Sequence, residues 1–183
     1  MTPPILGIFA SAVTGGVSAT SFESIATVTV GSGGSSYVEF TSIPSTYTHL
    51  QVRGISMHPS ADGLSGRING DTGTNYTYHE IYGTGSAAGA QAETGKTALL
   101  EFGGSPNTTS PGAYIIDILD YANTNKYKTV RTLAGVDTNG GGSVRLVSQL
   151  WLNTNAITSL RFYGSGSNLS QYTQFALYGI KAA

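Results

Sequence analysis

The sequence predicts an all-β protein: an antiparallel β-sandwich of jelly-roll type, preceded by an extended N-terminal arm. Three observations predict it. Apolar and polar residues alternate with period two from about residue 23 to the end. The runs are separated by Gly, Ser and Asn clusters that supply turn chemistry. No segment holds a helical period over several turns; the one candidate, Thr84 to Thr94 (TGSAAGAQAET), reads as a loop because its two glycines disfavour a helix. Some ten or eleven short strands with almost no helix imply a double-sheet or closed architecture. Long loops interrupt the meander and favour the sandwich over a closed barrel.

The first residues, MTPPILGIFASAVTGG, admit three readings. A secretory signal needs a basic start, and Met1-Thr2-Pro3-Pro4 has none. Pro3-Pro4 favours extended backbone. The apolar run Ile5 to Val13 therefore suits either a first strand of the domain's own sheet or an arm that adds to a partner. Gly15-Gly16 is the hinge in both cases. We divide the chain into an arm, residues 1–20, and a β-sandwich domain, residues 21–183. Within the arm, Ile5, Leu6, Ile8 and Phe9 are the candidate partner-docking residues.

Strands are expected at 24–30, 36–42, 47–56, 64–69, 75–82, 96–102, 113–121, 127–136, 143–153, 157–163 and 171–180. Their β-branched and aromatic residues fit a half-buried pleated surface. Gly31-Ser32-Gly33-Gly34 and Asn139-Gly140-Gly141-Gly142 close hairpins, with glycine supplying positive φ. Alternation assigns inward faces to Val28 and Val30, Val38 and Phe40, Leu50 and Val52, Ile116 and Ile118, Leu160 and Phe162, and Phe175 and Leu177. In 143–153 it assigns Val144, Leu146, Leu150 and Leu152 to the core. Glu39, Asp117, Arg145 and Arg161 then face outward, which fixes register strongly.

Composition narrows the function. Only 10% of the 183 residues are charged, against 39% hydrophobic, and the net charge is −1. Soluble domains usually carry about 25% charged residues. A surface built from Ser, Thr, Asn and Gly suits a protein packed densely in an assembly, and equally an extracellular β-domain. No basic patch suggests nucleic acid, and no apolar run is long enough for membrane insertion as a helix. The chain has no cysteine, so disulfides, thiol nucleophiles and cysteine metal sites are excluded.

No catalytic pattern emerges, and no enzyme, cofactor or metal is expected. His49, His58 and His79 form no i, i+2 or i, i+4 pair. There is no G-x-S-x-G elbow. Asp117 and Asp120 fall on opposite strand faces, which is wrong for a carboxylate pair on one strand. Asn69-Gly70-Asp71-Thr72-Gly73-Thr74-Asn75, with Glu80 at the twelfth position, echoes a calcium loop. Its fifth and sixth positions depart from that pattern, and a hairpin turn explains the same letters. Tyr76, Tyr78 and Tyr82 share one strand face and are candidates for surface recognition, of a glycan for instance, or for a subunit interface.

Several stretches resemble small virion proteins and fibre-type domains of tailed bacteriophages, notably phages of aquatic bacteria. They are Ile5–Ser11 (ILGIFAS), Ser21–Gly54 with its Ile43-Pro44 turn and Tyr47-Thr48-His49-Leu50, Ile68–Tyr76 (INGDTGTNY), Asp120–Thr129 (DYANTNKYKT) and Phe175–Lys181 (FALYGIK). They are structural rather than catalytic. The resemblance implies a β-sandwich and a structural role in a virion, as a tail or fibre appendage or a capsid-surface (decoration) component, with host attachment as a further role. The implied partners are other virion proteins, further copies of itself in a homo-oligomer (a trimer favoured) and a host glycan. The alternative is a carbohydrate-active domain that binds or cleaves host surface polysaccharide.

Overall fold

The computed structural model describes residues 21–59, 63–100 and 106–181. Among them are eleven strands and no helix: β1 (Phe22–Thr29), β2 (Val38–Phe40), β3 (His49–Ser56), β4 (Leu64–Ile68), β5 (Tyr76–Gly83), β6 (Ala88–Lys96), β7 (Gly112–Leu119), β8 (Lys128–Asp137), β9 (Gly142–Trp151), β10 (Leu160–Gly164) and β11 (Gln174–Ile180). They form an eight-stranded sheet in the order β1-β11-β3-β7-β8-β9-β5-β6 and a three-stranded sheet in the order β2-β10-β4. Every neighbouring pair is antiparallel. This is the expected antiparallel sandwich architecture. Its division into eight and three strands does not itself define a jelly-roll winding.

The core is built from alternate residues of both sheets. Val38, Phe40, Leu160, Phe162, Leu64 and Ile68 come from the small sheet; Leu50, Val52, Ile116, Ile118, Val130, Phe175 and Leu177 come from the large one, and all are buried. Phe162 and Phe175 stack across the core, with ring centroids 5.1 Å apart and planes 7° from parallel. That stack needs room beneath it. A Cβ at Gly54, on the neighbouring strand, would lie 2.2 Å from the Phe175 ring.

Turn chemistry sets the chain reversals, but neither Gly31–Gly34 nor the Asn69–Asn75 segment closes a hairpin as expected: β1 and β2, and β4 and β5, lie in different sheets, whereas β8 and β9 do form one. Asn69 and Gly70 both have positive φ, 51° and 66°, and the Asp71 N–H donates to the Ile68 carbonyl at 2.9 Å. This is the tight turn that Asn-Gly favours. After β8, Asn139 and Gly140 also take positive φ, and the Asn139 N–H donates to Asp137 Oδ1 at 2.8 Å.

Three further expectations are corrected. Of the loop expected at 84–94 only 84–87 is a turn: Ala88–Lys96 is a strand, paired with β5 at the sheet edge. Its residues are small and mostly exposed, so burial never imposed an alternating pattern on the sequence. The strand expected at 96–102 is reduced, among its described residues, to the end of β6 and one bridge between Leu99 and Gly66. The third correction concerns β9, which is turned over. Val147 and Trp151 face the core, while Val144 and Leu146 are 56% and 50% exposed and Leu152 is also exposed. The more apolar face of SVRLVSQLWLN is thus turned outward, and the inner face carries Val147 and Trp151 beside Arg145 and Gln149. Arg145 accordingly points inward, onto Glu80.

Candidate interaction surface

The inversion of β9 leaves an unusual outer face on the large sheet. One cross-strand row reads Arg53, Ile115, Leu133, Leu146, Ile81 and Ala90 from β3 to β6. Its four large aliphatics are neighbours in register, and each is 39–59% exposed. The next row toward the same end reads Ile55, Ala113, Gly135, Val144, Gly83 and Ala88. Ile55 and Val144 are again about half exposed. Six large side chains in this state leave several hundred Å² of contiguous apolar surface, the range in which such a patch marks an interaction site.

The surface is furrowed. Small residues lie between the large ones, so a depression of about 570 Å³ runs past Ile55, Ile115, Leu133 and Val144. Another, of about 530 Å³, lies among Ile81, Ala88, Leu133 and Leu146. The third row, Gln51, Asp117, Arg131, Ser148 and His79, is a polar border. Within it, Gln51 Nε2 donates to Asp117 Oδ1 at 2.8 Å. Arg53 donates from Nε to Gln51 Oε1 at 2.9 Å and lies over the Phe22 ring, 5.5 Å from its centroid. Sequence reasoning missed this face because it counted Val144 and Leu146 as core. The one signal in β9 itself was Val147 and Trp151 on the face opposite Val144 and Leu146.

The tyrosines lie elsewhere. Tyr76, Tyr78 and Tyr82 do share a face, but it is the inner one. Tyr76 and Tyr78 are 1% and 3% exposed, so neither ring is offered to a surface ligand or a flat interface. Tyr76 accepts the Ile68 N–H at 3.2 Å and donates to the Asp71 carbonyl at 3.1 Å. Tyr82 is partly exposed, with the Arg145 guanidinium 5.2 Å from its ring centroid. Ile5, Leu6, Ile8 and Phe9 lie outside the described residues.

Beside Tyr78 a polar depression of about 400 Å³ holds Gln91, Glu93, Lys96 and Arg145. Two carboxylates, Glu93 in the depression and Glu80 beneath it, act on Tyr78, and a glycosidase needs a pair of carboxylates. Both are already engaged. Arg145 Nη1 donates to both oxygens of Glu80, and Gln91 Nε2 donates to Oε1. Glu93 accepts from Lys96 at 2.6 Å and from the Tyr78 hydroxyl at 2.8 Å. The Lys96 and Tyr78 hydrogen bonds hold the Glu93 carboxyl below its ordinary value. Burial, reinforced by Glu93, pushes the Tyr78 phenol up to about 12. A general acid in a glycosidase needs the opposite, a raised carboxyl.

The remaining candidates are structural. Asp71 accepts hydrogen bonds from Gly73 N at 2.8 Å, Asn75 Nδ2 at 2.9 Å and Trp151 Nε1 at 2.7 Å. Glu80, the twelfth residue of the calcium-like pattern, is instead buried against Arg145. Among the described residues no group of three His, Asp or Glu side chains is placed to hold a metal ion. His49 Nδ1 accepts the Asp120 N–H at 3.0 Å. Ser56 Oγ lies 3.1 Å from His58 Nε2 and 2.8 Å from the Tyr114 hydroxyl. A serine–histidine contact would interest a hydrolase, but Ser56 and His58 are both fully buried, beyond the reach of substrate.

No protein-family model matches this chain, and no curated protein shows significant similarity to it.

Proposed function

We propose that this protein is a non-enzymatic structural subunit that assembles through the open face of its large sheet. The observation that carries this reading is the in-register row Ile115, Leu133, Leu146 and Ile81, left in water on a chain with few surface charges. Leaving such a row exposed costs solubility, and covering it favours association at about 25 cal/mol per Å² of apolar area. The setting is a tailed-phage virion, as a tail, fibre or capsid-surface component, and it rests on the sequence resemblance. Other virion proteins, further copies of this chain and a host glycan are the partners within that proposal. Cleavage of polysaccharide is the weaker reading, because the two carboxylates around Tyr78, Glu80 and Glu93, are paired with Arg145 and Lys96.

The test is sedimentation of the full chain and of the double variant Leu133→Glu/Leu146→Glu. The expected result is a wild-type oligomer that the variant dissociates while its Trp151 emission and melting temperature are kept. A wild-type chain that stays monomeric at all concentrations, or a variant that assembles as before, overturns the proposal.

A further inference from the structure

We infer that the occupant of the open face is the same face of a second copy of this chain, related by a two-fold axis that crosses β8 at Ala134. The inference rests on the open face being an assembly surface, and it names the partner and the symmetry.

Charge is the first argument. β8 is the middle strand of the face, with β7 and β3 on one side and β9 and β5 on the other. Its outward residues are Arg131, Leu133, Gly135 and Asp137, placed symmetrically about Ala134. Consider a two-fold axis that lies in the interface, perpendicular to the strands. It lays each β8 on the other with the residue order reversed, as a self-complementary contact requires. Arg131 then meets Asp137 of the second copy, and Asp137 meets Arg131 of the second copy. Both side chains are exposed, and among the described residues neither has an ion-pair partner. Asp117, the register neighbour of Arg131, accepts a hydrogen bond from Gln51 instead. An axis along the strands would set Arg131 against Arg131, a like-charge contact that opposes association.

Shape is the second argument, and it selects the same axis. The row Ile115, Leu133, Leu146 and Ile81 is a ridge. The neighbouring row is lower, with Ala113, Gly135 and Gly83 on either side of Val144. A depression of about 740 Å³ lies along these four residues. The axis through Ala134 puts the ridge of each copy over the low row of the other, so that Leu133 enters above Gly135 and Ile115 above Ala113. Two twisted sheets pack in this way at ~10 Å, with strands ~30° apart. Charged residues beside the furrows do not interfere. Glu80 and Arg145 point to the inner face and bind each other, and Arg53 lies over the Phe22 ring at the margin.

Area is the third argument. The five strands from β3 to β5 and the seven residues from Arg131 to Asp137 make a face of about 24 Å by 24 Å, ~570 Å² in projection. Corrugation raises the accessible area toward the ~800 Å² per partner that a stable interface buries.

The test reverses the two charges. Arg131 and Asp137 lie ~20 Å apart along one strand, so they cannot pair within a chain. Sedimentation over a range of concentrations is run on five full-length samples: wild type, Arg131→Asp, Asp137→Arg, an equimolar mixture of these two variants, and the double variant. Each single variant should associate at least about tenfold more weakly than wild type, because both of its contacts become like-charged. The mixture should recover, because every contact then joins an aspartate to an arginine, and so should the double variant. Melting temperatures at low concentration should stay near that of the wild type. Single variants that associate as the wild type does, or a mixture that fails to recover, overturn the two-fold contact. Dissociation by Leu133→Glu/Leu146→Glu would then still uphold the open face as an assembly surface. A wild type that stays monomeric overturns both readings, and leaves the face to residues 1–20 of its own chain or to a different protein.

Discussion

Arg145 Nη1 donates to both carboxylate oxygens of Glu80, at 2.9 and 3.0 Å, with the Glu80 side chain wholly buried and the arginine a quarter exposed. The contact joins β9 to β5, next to the edge strand β6, and Gln91 on that edge strand completes it. Removing one partner leaves a buried charge, which costs far more than the pair contributes. Arg145→Met should therefore destabilise the fold by about 3–5 kcal/mol, and adding Glu80→Gln should recover most of that loss. Urea denaturation followed by Trp151 fluorescence reads both.

Asp71 predicts a pH dependence. Burial pushes its carboxyl upward, but hydrogen bonds from Asn75, Trp151 and Gly73 outweigh this and hold it below the ordinary aspartate value. A carboxyl depressed in the folded state stabilises that state above the unfolded value of about 3.9, and the contribution is lost as pH falls through the folded value. Melting temperatures of the wild type and Asp71→Asn should differ most near neutrality and converge below about pH 4. A gap that stays constant down to pH 3 would show that the charge on Asp71 is not what the three donors stabilise.

Gly54 is a packing position rather than a turn. A Cβ there would enter the Phe175 ring, which is itself stacked on Phe162. Gly54→Ala should cost about 1–3 kcal/mol by overpacking. Combining it with Phe175→Leu should cost less than the sum of the two single changes. Thermal unfolding of the four-member cycle measures the coupling.

The orientation of β9 is tested by two adjacent truncations. Val147→Ala removes buried methyl groups and should cost about 2 kcal/mol. Leu146→Ala, on the open face, should change the stability of the isolated subunit by less than about 0.5 kcal/mol. Chemical denaturation at low protein concentration separates them. A larger loss at Leu146 than at Val147 would mean that β9 is the other way up.

The proportion of the fold legible in the sequence follows the physics of burial. Where one face of a strand is apolar and the other polar, as in Leu50 and Val52 against Gln51 and Arg53, alternation alone assigned the core face correctly. In β9 alternation chose the wrong face: Val144 and Leu146 are turned outward, and the less apolar face, with Val147 and Trp151 beside Arg145 and Gln149, is the buried one. Where neither face is strongly apolar, as in β6, there was no local signal, and pairing with β5 made the strand. The same logic governs the candidate site. Tyr76, Tyr78 and Tyr82 were rightly grouped on one face, but which side of the sheet that face meets is a long-range property. Beyond the face of β9, the apolar rows could not be assembled from the sequence, because Ile55, Ile115, Leu133, Leu146 and Ile81 come from five strands that the sheet order brings together.

The sequence by itself determined the all-β class, most strand positions and the glycine-rich turns, because each depends on neighbours a few residues apart. Tertiary structure alone decided the eight-and-three division, the side on which β9 buries its residues and the open apolar face. Each depends on which strands become neighbours, and that is settled by packing across the whole chain.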